Sequence, residues 1–124
     1  MTTNKDFLIG LVGPCASGKS TLSAILRARG FRVKHIAQEH SFVKDMWQRI
    51  TNPDLLIFLD ASYEVTLQRR QLDWSKANYL EQHRRLSHAR EHADLYIYTD
   101  DLSIEAVEEK IIAFLREMGH EIQS

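Results

Sequence analysis

Gly13-Pro14-Cys15-Ala16-Ser17-Gly18-Lys19-Ser20 is the stretch of this chain in which residue type and spacing most clearly specify a chemistry. It fits the pattern G-x-x-x-x-G-K-[ST] at every position. Consecutive backbone N–H groups of such a loop wrap an anion, Gly18 permits close approach, and the dipole of a following helix adds positive potential. Lys19 brings a point charge for the β- and γ-phosphates, Ser20 a hydroxyl for Mg²⁺, and Thr21 a contact for the α-phosphate. A nucleoside triphosphate is the ligand this predicts, cradled from Gly13 to Thr21.

Other residues are candidates for the chemistry around such a ligand. Asp60 closes the apolar run Leu55-Leu56-Ile57-Phe58-Leu59, a place from which a carboxylate can hold Mg²⁺ through water. Glu39 follows the second strand, a position that in P-loop kinases, which the loop resembles, holds an acidic residue for the acceptor or the metal; a solvated loop glutamate is the equal alternative. His35 and His40 stand beside it, but without a pattern of supporting residues the three are not expected to form a metal cluster. Cys15 lies inside the loop, where a helix N-terminus would lower its pKa and make it a redox switch. A tolerated small side chain is the plainer expectation. Phe42, Val43, Met46, Trp47 and Ile50 have helical spacing and read as core rather than as a base-stacking platform.

The elements that must position these residues follow from pattern. Phe7 to Val12 is apolar without alternation, as a central parallel strand buried on both faces would be. From Lys19 the period becomes helical through Leu22, Ile25 and Leu26, and Gly30 stops the helix after about three turns. Phe31 to Ile36 alternates apolar and basic residues, as an edge strand or one with a solvated face does. A short amphipathic helix is expected over Val43 to Ile50, ended by Pro53. Leu55 to Leu59 is a second buried strand, followed by helices from about Tyr63 to Gln71 and from Lys76 to about Arg90. Leu95 to Tyr98 is a last strand. Ser103 caps a terminal helix whose Ile104, Val107, Ile111, Phe114 and Met118 form one apolar stripe ended by Gly119. Strands alternating with helices predict a three-layer α/β/α fold with a small, mostly parallel sheet of about four strands.

Composition narrows the function classes. The 124 residues suit one domain, 1–124, with no repeat or linker. Sixteen basic against seventeen acidic residues give a net charge of −1, which disfavours nucleic acid or an anionic membrane as main partner. No apolar run approaches membrane-spanning length, and the polar start lacks a signal-peptide core, so a cytoplasmic location is expected. A single cysteine excludes an intramolecular disulfide and a multi-cysteine zinc site.

The loop resembles the Walker A motif of P-loop NTPases. A second passage, Leu59-Asp60-Ala61-Ser62-Tyr63-Glu64-Val65-Thr66-Leu67-Gln68-Arg69-Arg70, resembles the stretch of the adenylate kinase and shikimate kinase group in which a strand enters the lid helix. That resemblance implies a basic lid over about 69–92, carrying Arg69, Arg70, Lys76, Arg84, Arg85 and Arg90, with Arg69 and Arg84 as candidates for stabilising the transferred phosphoryl group. It also offers a structural role for Asp60 beside the metal role, and implies that Thr99 to Ser103 passes the adenine. The region of about 31–54, where this group builds its acceptor site, is much reduced here. The resemblance therefore implies a kinase-like protein that uses ATP and Mg²⁺, with Lys19, Glu39 and lid arginines catalytic and Ser20 and Asp60 at the metal. Its acceptor would be small, or a partner chain would complete the site, as in a homo-oligomer. The rival expectation is a nucleotide-binding or slowly hydrolysing module that signals to a partner protein.

Overall fold

The computed structural model describes residues 7–70 and 74–119, the side chain of Arg70 excepted; the expected helix end at Gln71 lies outside the described residues. Strand β1 (Leu8–Val12) leads through the loop to helix α1 (Lys19–Ala28) and strand β2 (Arg32–His35). A 3-10 turn (Gln38–His40) and a single π-helical turn (Trp47–Thr51) precede strand β3 (Leu55–Asp60). Helices α2 (Tyr63–Arg70) and α3 (Lys76–His92), strand β4 (Leu95–Tyr98) and helix α4 (Ile104–Glu117) complete the order. None of the described helices is long and apolar enough to cross a membrane.

The four described strands form an all-parallel sheet in the order β2-β1-β3-β4. β1 is central and β2 lies at an edge, as their apolar and alternating patterns predict. Parallel neighbours need crossovers, and helices supply them: α1 joins β1 to β2, while α2 and α3 join β3 to β4. The strand order reverses between β1 and β3. In open α/β sheets, ligands bind in the crevice outside the carboxyl ends of the strands at such a reversal. The loop that follows β1 lies there.

Two apolar layers sandwich the sheet. On one face Ile9, Leu11, Ile57 and Leu59 pack against Leu22 and Leu26 of α1 and Val107, Ile111 and Leu115 of α4. On the other, Val12, Leu56 and Phe58 meet Trp47 and the α3 residues Leu86 and Ala89. Every residue of β3 is buried, because this strand is covered on both faces. The three-layer α/β/α architecture is the one the sequence predicts. Ser103 caps α4 by accepting from the Ala106 N–H at 3.1 Å, and Ser75 caps α3 in the same way from Asn78.

The stretch from Phe42 to Ile50 departs from expectation. It forms turns and one π-helical turn instead of an amphipathic helix, and only Trp47 of the expected core set is fully buried. Phe42 is 84% exposed and Ile50 73% exposed. The reason is a buried amide. Gln38, wholly buried, accepts from the Trp47 backbone N–H at 2.8 Å and donates to the Val43 carbonyl at 2.8 Å. The segment winds around that side chain rather than laying an apolar stripe on the sheet. The Arg85 guanidinium covers the Phe42 ring, 4.3 Å from its centre.

Candidate phosphate-binding site

The loop between β1 and α1 is held in an unusual backbone path. Gly13 has φ +153° and Gly18 +104°, and Ala16 adopts φ +65°. A Cβ at Gly13 would stand 2.0 Å from the Leu59 carbonyl oxygen, so only glycine lets the loop lie against the end of β3. Gly18 is the N-cap of α1; no side chain caps that end, and its first turn holds no acidic residue. The first-turn amides of a helix have no intrahelical acceptor. Here they border a cavity of about 640 Å³, lined by Cys15 to Leu22, His35, Ala37, Glu39, His40, Arg69, Thr99, Leu102, Ile104 and Val107. α3 and α4 are capped by serine, whereas α1 is left uncapped where an anion would sit.

Lys19 is buried in the mouth of the loop. Its Nζ donates to the Gly13 carbonyl, to the Pro14 carbonyl at 3.1 Å and to Glu39 Oε2 at 3.0 Å. Glu39, carried by the 3-10 turn, is equally buried, and its Oε1 has no hydrogen-bond partner among the described residues. The buried Ser17 hydroxyl also lacks one there. Ser20 lies at the rim, its Oγ 3.4 Å from His35 Nδ1. Burial, reinforced by the Lys19 charge, holds His35 below the usual imidazole pKa and favours its neutral form.

No family model matches the chain. It is 27% identical, over 126 aligned positions, to a protein of Corynebacterium aurimucosum named nucleotide-binding protein. The alignment takes in 94% of this chain and 43% of that relative, so the chain spans less than half of the relative's length.

Of the residues singled out in the sequence, Cys15 to Thr21, Glu39 and Arg69 line one cavity, while Gly13 and Pro14 do not line it and instead offer Lys19 their carbonyls. Arg69 donates to the Thr99 carbonyl at 2.7 Å, the Thr99 hydroxyl at 2.9 Å and the Ala16 carbonyl at 3.3 Å. It thereby ties α2 to the loop and to the turn after β4. Arg84 is not brought there. It is exposed on α3 and forks onto Glu81, whose carboxyl it holds below the usual range. Arg85 shares that carboxylate at 2.9 Å.

Asp60 and Ser20 are not brought together either. Alternation along β3 puts Asp60 on the face of Leu56 and Phe58, toward α3, while α1 packs on the face of Ile57 and Leu59. Asp60 accepts from the Ala61 N–H at 2.8 Å and from the Tyr96 hydroxyl, and lies 3.4 Å from His83 of α3. Burial holds His83 below the usual imidazole pKa, against the pull of Asp60, and favours its neutral form. Burial and then Asp60 itself push the Tyr96 phenol well up, keeping it a donor.

Gln82 is the residue that sequence reasoning missed. Its Oε1 accepts from the Cys15 backbone N–H at 3.1 Å and its Nε2 donates to Cys15 Sγ at 3.2 Å. Both ends of one amide therefore grip the loop, and α3 is anchored to it. The signal was present: Gln82, Leu86 and Ala89 share the buried face of α3, and a polar residue on that stripe asks for a partner.

Proposed function

We propose that the chain binds a nucleoside triphosphate, ATP, in the cavity around the loop from Gly13 to Thr21. The observation that carries this reading is the uncapped N-terminus of α1 beside a buried lysine, a concentration of donors with no side-chain cap. The name of the Corynebacterium relative points the same way. Ser20, at the rim, offers the hydroxyl that Mg²⁺ would take together with phosphate oxygens, an oxygen donor set that suits this hard cation. Lys19 would leave Glu39 for the β- and γ-phosphates. The apolar wall of Leu102, Ile104 and Val107, beside Arg69, would face the base or ribose.

The chemistry such an arrangement supports is transfer of the γ-phosphoryl group to a small acceptor, with Lys19 and Arg69 stabilising charge and Glu39 facing the acceptor. Residues 31–54 leave little material to enclose an acceptor, so a bulky one would need a partner chain. A second reading, a binding module with slow hydrolysis, is favoured by one observation. Gln82 anchors α3 to the loop, so the basic segment is fastened rather than poised.

Calorimetric titration with ATP and Mg²⁺ tests the binding claim, and absence of binding overturns it. A radiolabelled transfer assay across an acceptor panel, run beside sedimentation, separates the two readings. Transfer is expected to a small acceptor, and little to nucleoside monophosphates or shikimate by a monomer. Hydrolysis without transfer to any acceptor would favour the module.

A further inference from the structure

We infer that Cys15, Glu39 and His40 form a binding site for a borderline-soft divalent cation, zinc, at the mouth of the phosphate loop. The inference stands apart from nucleotide binding and needs none. One ligand atom from each of the three residues lies within 4.8 Å of the other two. Cys15 Sγ is 3.8 Å from His40 Nε2, and His40 Nε2 is 3.7 Å from Glu39 Oε2. Tetrahedral zinc with sulfur, nitrogen and oxygen ligands needs separations of roughly 3.3–3.6 Å, so both His40 separations are close to this and Cys15 and Glu39 must draw together to close the site.

The independent sign that this triad lacks something is Glu39. The residue is 3% exposed, it lines the cavity, and its Oε1 has no hydrogen-bond partner among the described residues. A buried carboxylate oxygen left unpaired is costly, and a cation relieves it. Oε2, the oxygen 3.7 Å from His40 Nε2, is also held by Lys19, so rotation of the carboxyl would bring Oε1 to the metal while Oε2 keeps the ion pair.

The donor set selects the metal. A thiolate, an imidazole and a carboxylate suit zinc, whereas Mg²⁺ prefers oxygens alone. Cys15 gives up its proton to solvent as the metal binds, and three protein ligands leave a fourth position for water. A supporting contact already exists, because the Gln82 amide N–H donates to Cys15 Sγ and orients the sulfur. His35, which the sequence sets beside Glu39 and His40, is occupied with Ser20 instead, and Cys15 takes its place in the group.

Cobalt titration of the nucleotide-free protein tests this, since cobalt reports thiolate ligation by a near-ultraviolet charge-transfer band and tetrahedral geometry by visible bands. One equivalent should bind with both signatures, and zinc should displace it. Cys15→Ser should abolish the charge-transfer band, and His40→Ala should weaken binding at least about tenfold. His40 is exposed and Cys15→Ser nearly isosteric, so both variants should fold, as circular dichroism will show. The stacked His88–His92 pair on α3 is the competing place for such a metal. Binding without a thiolate band, binding unchanged in Cys15→Ser, or no binding at all overturns the inference.

Discussion

Lys19 and Glu39 form a buried ion pair at 3.0 Å, one partner from the first turn of α1 and the other from the 3-10 turn after β2. Each side chain is about one-twentieth exposed. Removing one member of a buried pair leaves the other charge uncompensated, which costs about 3–5 kcal/mol. Lys19→Ala should therefore lose stability as well as ATP affinity, the latter by at least about tenfold, or about 1.4 kcal/mol. A Lys19→Met, Glu39→Gln double variant separates the effects. Urea unfolding should show stability largely recovered, while calorimetry shows affinity still lost. Unchanged ATP affinity in either variant would refute the role given to Lys19.

The same pair predicts a division between binding and turnover at Glu39. Its carboxylate holds Lys19 and borders the cavity, so it would compete with a bound phosphate for that cation. Glu39→Gln keeps the shape and removes the charge, so ATP should bind several-fold more tightly. Any phosphoryl transfer should slow, since the carboxylate proposed to face the acceptor is gone. Weaker binding in Glu39→Gln would show that the carboxylate helps to hold the ligand.

Arg69 and Arg84 should behave differently, although both belong to the basic segment. Arg69 lines the cavity and bonds to Ala16 and Thr99, so Arg69→Ala should reduce both stability and nucleotide affinity. Arg84 is exposed and paired only with Glu81 among the described residues, and Arg84→Ala should leave ATP affinity and melting temperature unchanged. A comparison of affinity for a non-hydrolysable analogue with steady-state phosphate release decides whether Arg84 acts in turnover alone. A loss confined to turnover would mean that it swings inward with the reacting complex.

The sheet, its edge strand and the loop were legible because each had a local cause. Unbroken apolar runs marked β1 and β3, alternation marked β2, and glycine with lysine marked the loop. The segment from Phe42 to Ile50 was not legible, because its path is set by Gln38, a buried amide whose partners are fixed by the folded path and not by periodicity. Asp60 shows the same limit. Its position at the end of β3 was readable, but the side of the sheet it serves depends on Tyr96 and His83. Charge clustering likewise marked Arg69 and Arg84 alike, and only the helix each occupies distinguishes them.

Two glycines with positive φ should differ sharply when substituted. A methyl group at Gly13 meets the Leu59 carbonyl at 2.0 Å, and neither backbone can yield without separating the loop from β3. Gly13→Ala should cost at least about 3 kcal/mol and abolish nucleotide binding. Gly119, with φ +86°, has nothing within 4 Å of an added Cβ, so Gly119→Ala should cost only the conformational strain of about 1–2 kcal/mol. Urea midpoints of the two variants measure the difference. Equal losses would mean that the loop is not held against β3.

Stability should rise with pH between about 5 and 7 because of two neutral histidines. Burial is the main cause that holds His83 below the usual imidazole value; Arg90 adds to it and Asp60 opposes it. Burial and Lys19 do the same to His35, against the pull of Glu39. Each ring binds a proton more readily unfolded than folded. Lowering the pH through the unfolded value near 6.5 therefore favours the unfolded chain, and the loss continues down to the folded pKa. Glu81 and Asp45, held low chiefly by hydrogen bonds from Arg84 and Arg49, lose their stabilising effect as the pH falls through the usual carboxylate values toward their lower folded ones, a window lying below that of the histidines. Melting temperatures from about pH 5 to about pH 8 should rise to a plateau above about 7. His83→Gln should flatten part of that slope whatever it does to absolute stability, because the variant has one fewer group to titrate. A wild-type slope of opposite sign, or one untouched in His83→Gln and in the corresponding His35→Gln variant, would show that neither ring is kept neutral by the fold.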